Sequence, residues 1–143
     1  MKKLMLITVF LMGTLFSFSQ NVYHISKAGK SNEVKRDTEI PAIKLEPVFE
    51  MYVKVQKYGN GKYNVQILGQ GKVVYSGIFK LQSISQTGNI FENYKYVKID
   101  GNDVDYLITK TDLEIISTSG LYSMEQWIII NYRASIAWKI LFE

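Results

Sequence analysis

The sequence predicts an all-β fold, a mostly antiparallel meander of about eight strands that forms a small barrel or a barrel-like sandwich. Apolar and polar residues alternate with a period of two over residues 48–81, which gives each strand one buried and one wet face. Glycine-containing turns separate the alternating runs at short intervals, as in hairpins. No internal repeat and no βαβ pattern interrupts the series. Closure into a barrel would hide the strand edges, but the sequence leaves barrel and sandwich open.

A secretory signal peptide is predicted over residues 1–19. A short basic start precedes an apolar run over residues 4–16, and Ser17 and Ser19 are small residues at the positions that signal peptidase reads. Cleavage is therefore expected before Gln20. The apolar run is shorter than the roughly 20 residues of a membrane-spanning helix. We expect an exported protein, periplasmic or extracellular, without a transmembrane segment in the mature chain.

The composition limits which cellular compartment and which classes of partner are expected. The chain has no cysteine, so neither disulfides nor thiolate metal sites are available, which favours a bacterial envelope over disulfide-rich secretion. Removing Lys2 and Lys3 with the leader leaves 15 basic residues against 13 acidic ones, and the formal charge falls from +4 to +2. A nearly neutral chain without a basic stripe argues against nucleic-acid binding.

Residues 20–47 are predicted to be a polar, extended lead-in or linker, because charged residues cluster there beside two prolines. Ile40, Ile43 and Leu45 leave open the alternative that this segment docks on the domain. The single β domain is predicted over residues 48–143.

Three strands form the predicted start of this domain. The first is expected to bury Phe49, Met51, Val53 and Val55. The second follows a turn over residues 58–61 and is expected to bury Tyr63, Val65 and Ile67. The third follows a turn over residues 69–71 and is expected to bury Val73, Tyr75, Phe79 and Leu81. Gly77, beside Ser76, suggests a bulge in the middle of the third strand.

The later strands are predicted over residues 90–99, 104–109, 113–117, 126–133 and 135–142. In the first of these, Phe91, Val97 and Ile99 share the expected core face. A helix over residues 123–142 is the alternative, since that run lacks glycine and proline, but consecutive isoleucines and a tryptophan favour strands. The last strand is expected to turn Ile136, Trp138, Ile140 and Phe142 inward and to close the sheet against the first hairpin.

Catalytic groups are scarce. His24 is the only histidine and lies in the lead-in, so the predicted domain lacks the residues for a Ser-His-Asp triad, a Cys-His pair or a histidine-rich zinc site. Paired carboxylates remain the one hydrolytic option. The glutamates outside the turns are scattered and are expected to be solvated: Glu50, Glu92, Glu114 and Glu125. We therefore expect no enzyme, with a carboxylate-based hydrolase as the third choice of function.

Oxygen ligands are most concentrated at residues 100–105, where Asp100, Asn102, Asp103 and Asp105 lie close together. The spacing does not match an EF-hand, because Gly101 comes too early and no glutamate follows at the required distance. An Asp-Gly hairpin explains the same residues. We predict neither a metal nor a cofactor.

Aromatic residues are the remaining functional signal. Tyr52, Tyr94 and Tyr96 lie off the predicted core face, and such rings suit a recognition surface or the wall of a ligand cavity, although strand propensity alone also explains them. Trp127 and Arg133 fall on one face of the penultimate strand, where they would line a lumen mouth or stack on each other. Tyr94, Tyr96, Trp127 and Arg133 are the predicted binding residues.

An exported chain of about eight strands resembles the lipocalin-like calycins in pattern only. Val48, Phe49 and Glu50 stand where those proteins have a glycine-x-tryptophan signature, so no residue role is carried over.

The predicted function is non-catalytic binding. A protein-interaction module of the envelope, as an accessory subunit or an inhibitor or immunity-type partner, comes first, and a carrier of a small apolar ligand in a barrel lumen is the alternative. The first predicts that Tyr94 and Tyr96 face solvent as a patch, and the second predicts an enclosed cavity of some hundreds of Å³.

Overall fold

The computed structural model describes residues 20–87, 91–119 and 126–142. The predicted signal peptide lies outside these residues. The described residues form nine strands and one short helix, in the order β1 Gln20–Ser31, β2 Glu46–Pro47, β3 Met51–Lys57, β4 Lys62–Gly69, β5 Lys72–Thr87, β6 Phe91–Lys98, β7 Tyr106–Thr109, α1 Leu113–Ser119, β8 Gln126–Asn131 and β9 Ile136–Phe142.

Eight of these strands form a closed antiparallel barrel, which confirms the all-β prediction and decides between barrel and sandwich. Each strand from β3 to β8 pairs with the next in the chain, β1 pairs with β3, and β9 returns to pair with β1. The short β2 is an extra strand that pairs with Lys27 and Ala28 of β1. Closure gives each of the eight barrel strands a hydrogen-bonded neighbour on both sides. None of them is therefore an edge strand of the sheet.

The first strand, β1, is part of the barrel, although the sequence predicted that the domain begins at residue 48. Residues 20–24 of β1 pair with β3, and residues 25–31 pair with β9, with a bulge between Ile25 and Lys27. Ile25 is fully buried. The bulge moves the inward-facing positions from odd to even numbers, so the period-two pattern is broken. This interruption hid a strand of 12 residues within a polar segment.

Residues 32–45 lie on the outer face of the barrel, over β8 and β9. Val34 is fully buried with Ile130 and Ala137, and Ile40 and Ile43 pack against the same cluster. The Val34 N–H donates to the Ser135 carbonyl oxygen at 3.2 Å. Of the two arrangements that the sequence left open for this segment, the structure has the docked one.

The inward faces of β3 and β4 agree with the sequence over Val53, Val55, Tyr63, Val65 and Ile67, all of which are buried. The prediction for Phe49 is wrong, because this residue was expected in the core and is 82% exposed. The next residue, Glu50, has a φ of 54°, so the chain turns just before β3 and the alternation does not extend back to position 49.

The third predicted strand is longer and bulges elsewhere. The register of β5 shifts at Val74 and at Gln82, rather than at Ser76 and Gly77. Each extra residue reverses the inward and outward positions beyond it. Val73, expected in the core with Tyr75 and Phe79, lies before the shift at Val74 and is therefore exposed. Leu81, also expected in the core, is exposed where the register shifts at Gln82.

A helix, α1, replaces the strand that was predicted over residues 113–117. The Asp112 carboxylate accepts from the Glu114 N–H at 2.9 Å and so caps the first turn. Leu113 and Ile116, three residues apart, share the buried face. The choice of strands over a helix is confirmed for residues 126–131 and 136–142. In the described part of the chain, no helix has the length and apolarity to cross a membrane.

Candidate functional site

The helix α1 covers one end of the barrel. It lies against β1 and β3, and its Leu113 and Ile116 side chains are fully buried. The Leu113 N–H donates to the Tyr96 hydroxyl oxygen at 2.8 Å. Tyr23 donates its hydroxyl proton to the Ile116 carbonyl oxygen at 3.2 Å, and the Asn21 amide donates to the same oxygen. Buried apolar groups with satisfied backbone partners close this end.

The tyrosines inside the barrel are protonated donors at physiological pH. Burial raises the pKa of Tyr23 to about 12 and the pKa values of Tyr63, Tyr75 and Tyr96 still further above the usual value for a phenol. At Tyr75, the hydrogen bond to Asp105 and the charge of that carboxylate raise the pKa further. Each of these hydroxyls therefore contributes a dipole and no charge.

The opposite end of the barrel holds an apolar pocket of about 240 Å³. The two ends are defined along β3, where Lys57 pairs with Glu114 of α1 at an Nζ–Oε1 distance of 3.0 Å and Met51 lines the pocket. Six of the eight barrel strands contribute to the pocket wall. The lining side chains are Ala28, Met51, Ile67, Val74, Tyr75, Ile129, Trp138 and Ile140.

The one hydroxyl among these lining side chains is already bonded. Tyr75 donates to Asp105 Oδ2 at 2.6 Å, and the Asn131 amide donates to Asp105 Oδ1 at 2.7 Å. Asn131 Oδ1 in turn accepts from the Ala134 N–H at 2.8 Å. Because its hydroxyl is held by Asp105, Tyr75 offers the pocket the apolar surface of its ring.

Two lysines lie beside the aromatic walls of the pocket. The Lys98 Nζ is 5.6 Å from the centroid of the Tyr75 ring, and the Lys30 Nζ is 5.9 Å from the centroid of the Trp138 ring. Both distances are within the range of a cation–π contact. The pocket thus combines an apolar interior with two positive charges at its aromatic edge.

Other depressions of the described surface lie outside the barrel. One of about 510 Å³ is bounded by residues 32–35 and Ser135, which are mostly polar or exposed. Another of about 270 Å³ lies between Ile40, on the docked segment, and residues of β6, β7 and β8, among them Asn93, Ile108 and Ile128. Neither is enclosed by the barrel wall, so the pocket at the open end is the candidate site.

The structure does not bring the four predicted binding residues together. Tyr96 is fully buried at the closed end, and Tyr94 packs against the core. Trp127 is fully buried, with its ring centroid 5.1 Å from that of Phe142. Arg133 is exposed after β8 and pairs with Asp103 at an Nη1–Oδ1 distance of 3.2 Å. The expected solvent-facing patch is wrong for Tyr96, and Trp127 and Arg133 neither stack nor share a lumen mouth.

The sequence assigned the wrong face of β6 to the core, and this explains why Tyr96 was expected outside the core. The sequence assigned Phe91, Val97 and Ile99 to the core face, whereas Ile99 is exposed and Tyr96 is buried. A tyrosine can be buried when its hydroxyl finds a partner, and the Leu113 N–H is that partner for Tyr96. This contact comes from α1, which the sequence had assigned as a strand.

Sequence reasoning also missed the two lysines. Lys98 has the same parity as Tyr94 and Tyr96 in β6, so it faces the barrel interior once the face is assigned correctly. Lys30 follows the bulge in β1, which was not recognised as a strand. The one available signal was Gly77, a glycine in the middle of a strand, which indicates close approach of another group.

The aspartates of residues 100–105 have protein partners. Asp100 Oδ1 accepts from the Ile78 N–H at 2.6 Å, Asp103 pairs with Arg133, and Asp105 is held by Tyr75. Within the described ranges, no group of three or more potential metal-ligating side chains occurs. Glu125 and the side chain of Glu92 lie outside the described residues.

No protein-family model, curated protein or solved structure matches this chain. Chemically, the arrangement offers an apolar cavity with two ammonium groups at its edge. That combination is suited to holding a ligand by burial of its apolar part.

Proposed function

We propose that this protein is an exported, non-catalytic binding protein that holds a small apolar ligand in the open end of its barrel. The apolar pocket of about 240 Å³, in a barrel whose other end is covered by α1, is the observation that carries the proposal. Apolar cavities of this kind gain free energy when a ligand displaces poorly bonded water or fills an empty space. The proposal of export depends on the leader sequence at residues 1–19.

The volume limits the size of the ligand. An apolar cavity of about 150 Å³ is large enough to bind benzene, and most small-molecule sites range from about 300 to 1,000 Å³. The pocket of about 240 Å³ lies between these values. If a methylene takes about the 30 Å³ of a water molecule, a chain of about eight carbons or one substituted ring fits.

The expected affinity is modest. Each buried methylene contributes about 0.8 kcal/mol, so an eight-carbon chain gains about 6 kcal/mol from burial. Part of this gain is offset by the lost translational freedom and chain entropy of the ligand. We therefore expect dissociation constants on the order of 0.1 to 1 mM for a plain eight-carbon chain.

The protein-interaction role that the sequence favoured has lost its main support. It depended on Tyr94 and Tyr96 forming a solvent-facing patch, and Tyr96 is fully buried. The carrier role predicts an enclosed cavity of some hundreds of Å³, and the barrel has an apolar pocket of about 240 Å³ that is open to solvent at one end. The geometry therefore supports the carrier better.

Calorimetric titration with 1-octanol tests the proposal. Wild-type protein should bind one equivalent, and Ala28→Leu, which adds bulk to the pocket wall, should weaken binding at least fivefold. Ala42→Leu is the matched control, because Ala42 is exposed on the docked segment and does not line the pocket. Circular dichroism checks that both variants are folded. Absence of 1-octanol binding by the wild type, or equal binding by Ala28→Leu, would contradict the proposal.

A further inference from the structure

We infer that the ligand of this pocket is an amphiphile with a single anionic head group and a short apolar tail. This inference rests on the proposed function, because it names the ligand class for the same pocket. The tail occupies the space beside Met51 and Ile129, and the anionic head lies at the ammonium groups of Lys98 and Lys30.

Lys98 crosses the inner wall of the barrel in a space that a glycine provides. A Cβ added at Gly77 would lie 3.1 Å from Lys98 Cε and 3.2 Å from Lys98 Cδ. It would also lie 2.9 Å from Phe79 Cε2, so even an alanine would crowd this position. Glycine weakens a strand interior, because it adds backbone entropy to the unfolded chain and has no side chain to pack. Here the glycine accommodates the Lys98 stem, and the ammonium lies over the Tyr75 ring, with Nζ 3.7 Å from the position of a Cβ added at Gly101.

Both ammonium groups lie over rings that form the pocket wall. Lys98 is over Tyr75 at 5.6 Å and Lys30 is over Trp138 at 5.9 Å, measured from Nζ to ring centroid. Among the described residues, neither lysine has a carboxylate within 4.0 Å. An aromatic face attracts a cation more weakly than an anion in direct contact does. Each ammonium therefore retains capacity to bind an anion.

The acids at this end of the barrel are engaged elsewhere. Asp105 is 4% exposed and accepts from Tyr75 and Asn131. Asp100 accepts from the Ile78 N–H, and Asp103 pairs with Arg133. These bonds hold the carboxylates in the wall and in the adjoining turns. Asp105 and Asp100 keep their negative charge, because their donors are neutral, but both oxygens of Asp105 and Oδ1 of Asp100 already accept hydrogen bonds within the protein. The two lysines are the charged groups beside the pocket rings that can still donate to a ligand.

The charge pattern distinguishes three head groups. An anionic head gains charge-assisted hydrogen bonds to one or both ammonium groups. A neutral hydroxyl keeps the burial of the tail but gains less at the head. A cationic head meets the like charges of the two lysines, which disfavour it, although the Asp105 and Asp100 carboxylates beside Tyr75 offset part of this repulsion. Carboxylate, sulfate and phosphate monoester heads share the required chemistry, and tail length is limited by the pocket.

Calorimetric titrations with octanoate, 1-octanol and octylammonium test the inference at low ionic strength, with one tail and three charges. Wild-type protein should bind octanoate at least fivefold more tightly than 1-octanol, and octylammonium most weakly. Lys98→Met keeps the length of the stem and removes the charge, so it should lower octanoate affinity about fivefold and 1-octanol affinity by less than about twofold. Lys80→Met, an exposed lysine of β5 away from the pocket, is the matched control and should change neither.

The outcomes separate the inference from the proposed function. Equal binding of octanoate and 1-octanol, with no effect of Lys98→Met, would overturn the anionic head group and leave the apolar-ligand function standing. Absence of binding by all three compounds would overturn the proposed function and the inference with it. If the preference for octanoate is electrostatic, it should shrink in 1 M salt, where the screening length falls to about 3 Å, and a preference unchanged by salt would count against the lysines. Lys30→Met provides a second variant with the same expectation as Lys98→Met.

Discussion

At the scale of single residues, the buried Asp105 carboxylate is held beside the pocket by hydrogen bonds from two side chains. Each of its oxygens accepts one hydrogen bond, from Tyr75 and from Asn131. In Asp105→Asn, one oxygen is replaced by an NH₂ group that faces a donor. Loss of a hydrogen bond to a buried charged group typically costs about 1.5–3 kcal/mol. We expect the free energy of unfolding in urea to fall by about 2 kcal/mol.

Asp103→Asn is the matched control for this substitution. Asp103 is exposed and pairs with exposed Arg133, and such surface pairs contribute roughly 0–1 kcal/mol. Its unfolding free energy should stay within about 0.5 kcal/mol of the wild type. Equal losses in the two variants would mean that burial of Asp105 adds nothing to its hydrogen bonds.

The buried tyrosines predict a loss of stability at alkaline pH. Their pKa values in the folded protein are raised above the value of about 10 in the unfolded chain, to about 12 for Tyr23. The full stability is present below about pH 10, and it falls above that pH because the unfolded chain releases phenol protons that the folded protein keeps. The fall should continue until the folded pKa values are reached. Unfolding in urea at successive pH values from 8 to about 12 measures it.

Tyr96→Phe is the variant that isolates one contribution to this pH dependence. Tyr96 is fully buried, and one retained proton corresponds to a slope of about 1.4 kcal/mol per pH unit. The variant should show a shallower alkaline slope by about that amount, together with lower stability at neutral pH because the Leu113 N–H loses its acceptor. An unchanged slope would contradict the buried state of Tyr96.

Residue-scale predictions from the sequence failed where burial depends on a partner far along the chain. The sequence placed Tyr96 off the predicted core face, because Phe91, Val97 and Ile99 were assigned to that face. Its burial requires the N–H of Leu113, a residue in another element. Lys98 shares the same face, so the error in β6 also hid the charged residue at the pocket.

At the scale of elements, α1 is the part that closes one end of the barrel. Ile116 is fully buried, and Ile115 on the same helix is 37% exposed. Ile116→Ala should lower the free energy of unfolding by about 2–5 kcal/mol, the range for buried isoleucine truncations. Ile115→Ala, with the same change in chemistry, should cost less than about 1 kcal/mol. Urea denaturation compares the two, and similar losses would show that α1 does not pack as described.

The docked segment, residues 32–45, is the basis of a second prediction at the scale of elements. Val34 is fully buried against Ile130 and Ala137, and Val22 in β1 is 55% exposed. Truncation of Val34 to alanine removes two buried carbon groups and should cost about 2 kcal/mol in urea unfolding. Val22→Ala should change stability by less than about 0.5 kcal/mol. If Val34→Ala were also neutral, the segment would not be docked in solution.

Strands were predictable from the sequence where apolar and polar residues alternate without a bulge. β3, β4, β8 and β9 match the sequence interpretation closely, since their inward positions keep one parity. β1 and β5 were missed or misassigned because bulges shift the parity within the strand. The signal for α1 was the Asp112 cap, which is also typical of a turn.

At the scale of the whole molecule, the architecture was more predictable than the site. The number of turns and the absence of a βαβ pattern were sufficient for an antiparallel meander of about eight strands. The pocket requires knowledge of which end α1 covers and which strands adjoin across the closure. Ala28 and Ile140, for example, are register partners in β1 and β9 and line the pocket together. Neither fact is local in the sequence.

The pairing of β1 with β9 also has a consequence for folding kinetics. Ser26 donates its hydroxyl proton to the Leu141 carbonyl oxygen across 115 positions of the chain. Closure of so long a loop comes at a high entropic cost, and proteins dominated by non-local strand pairing fold slowly, in milliseconds to seconds. Until β9 docks, β1 has an unpaired edge that can recruit a strand from another molecule. The same hydrogen bonds that complete the barrel therefore set how long a nascent chain remains prone to aggregation.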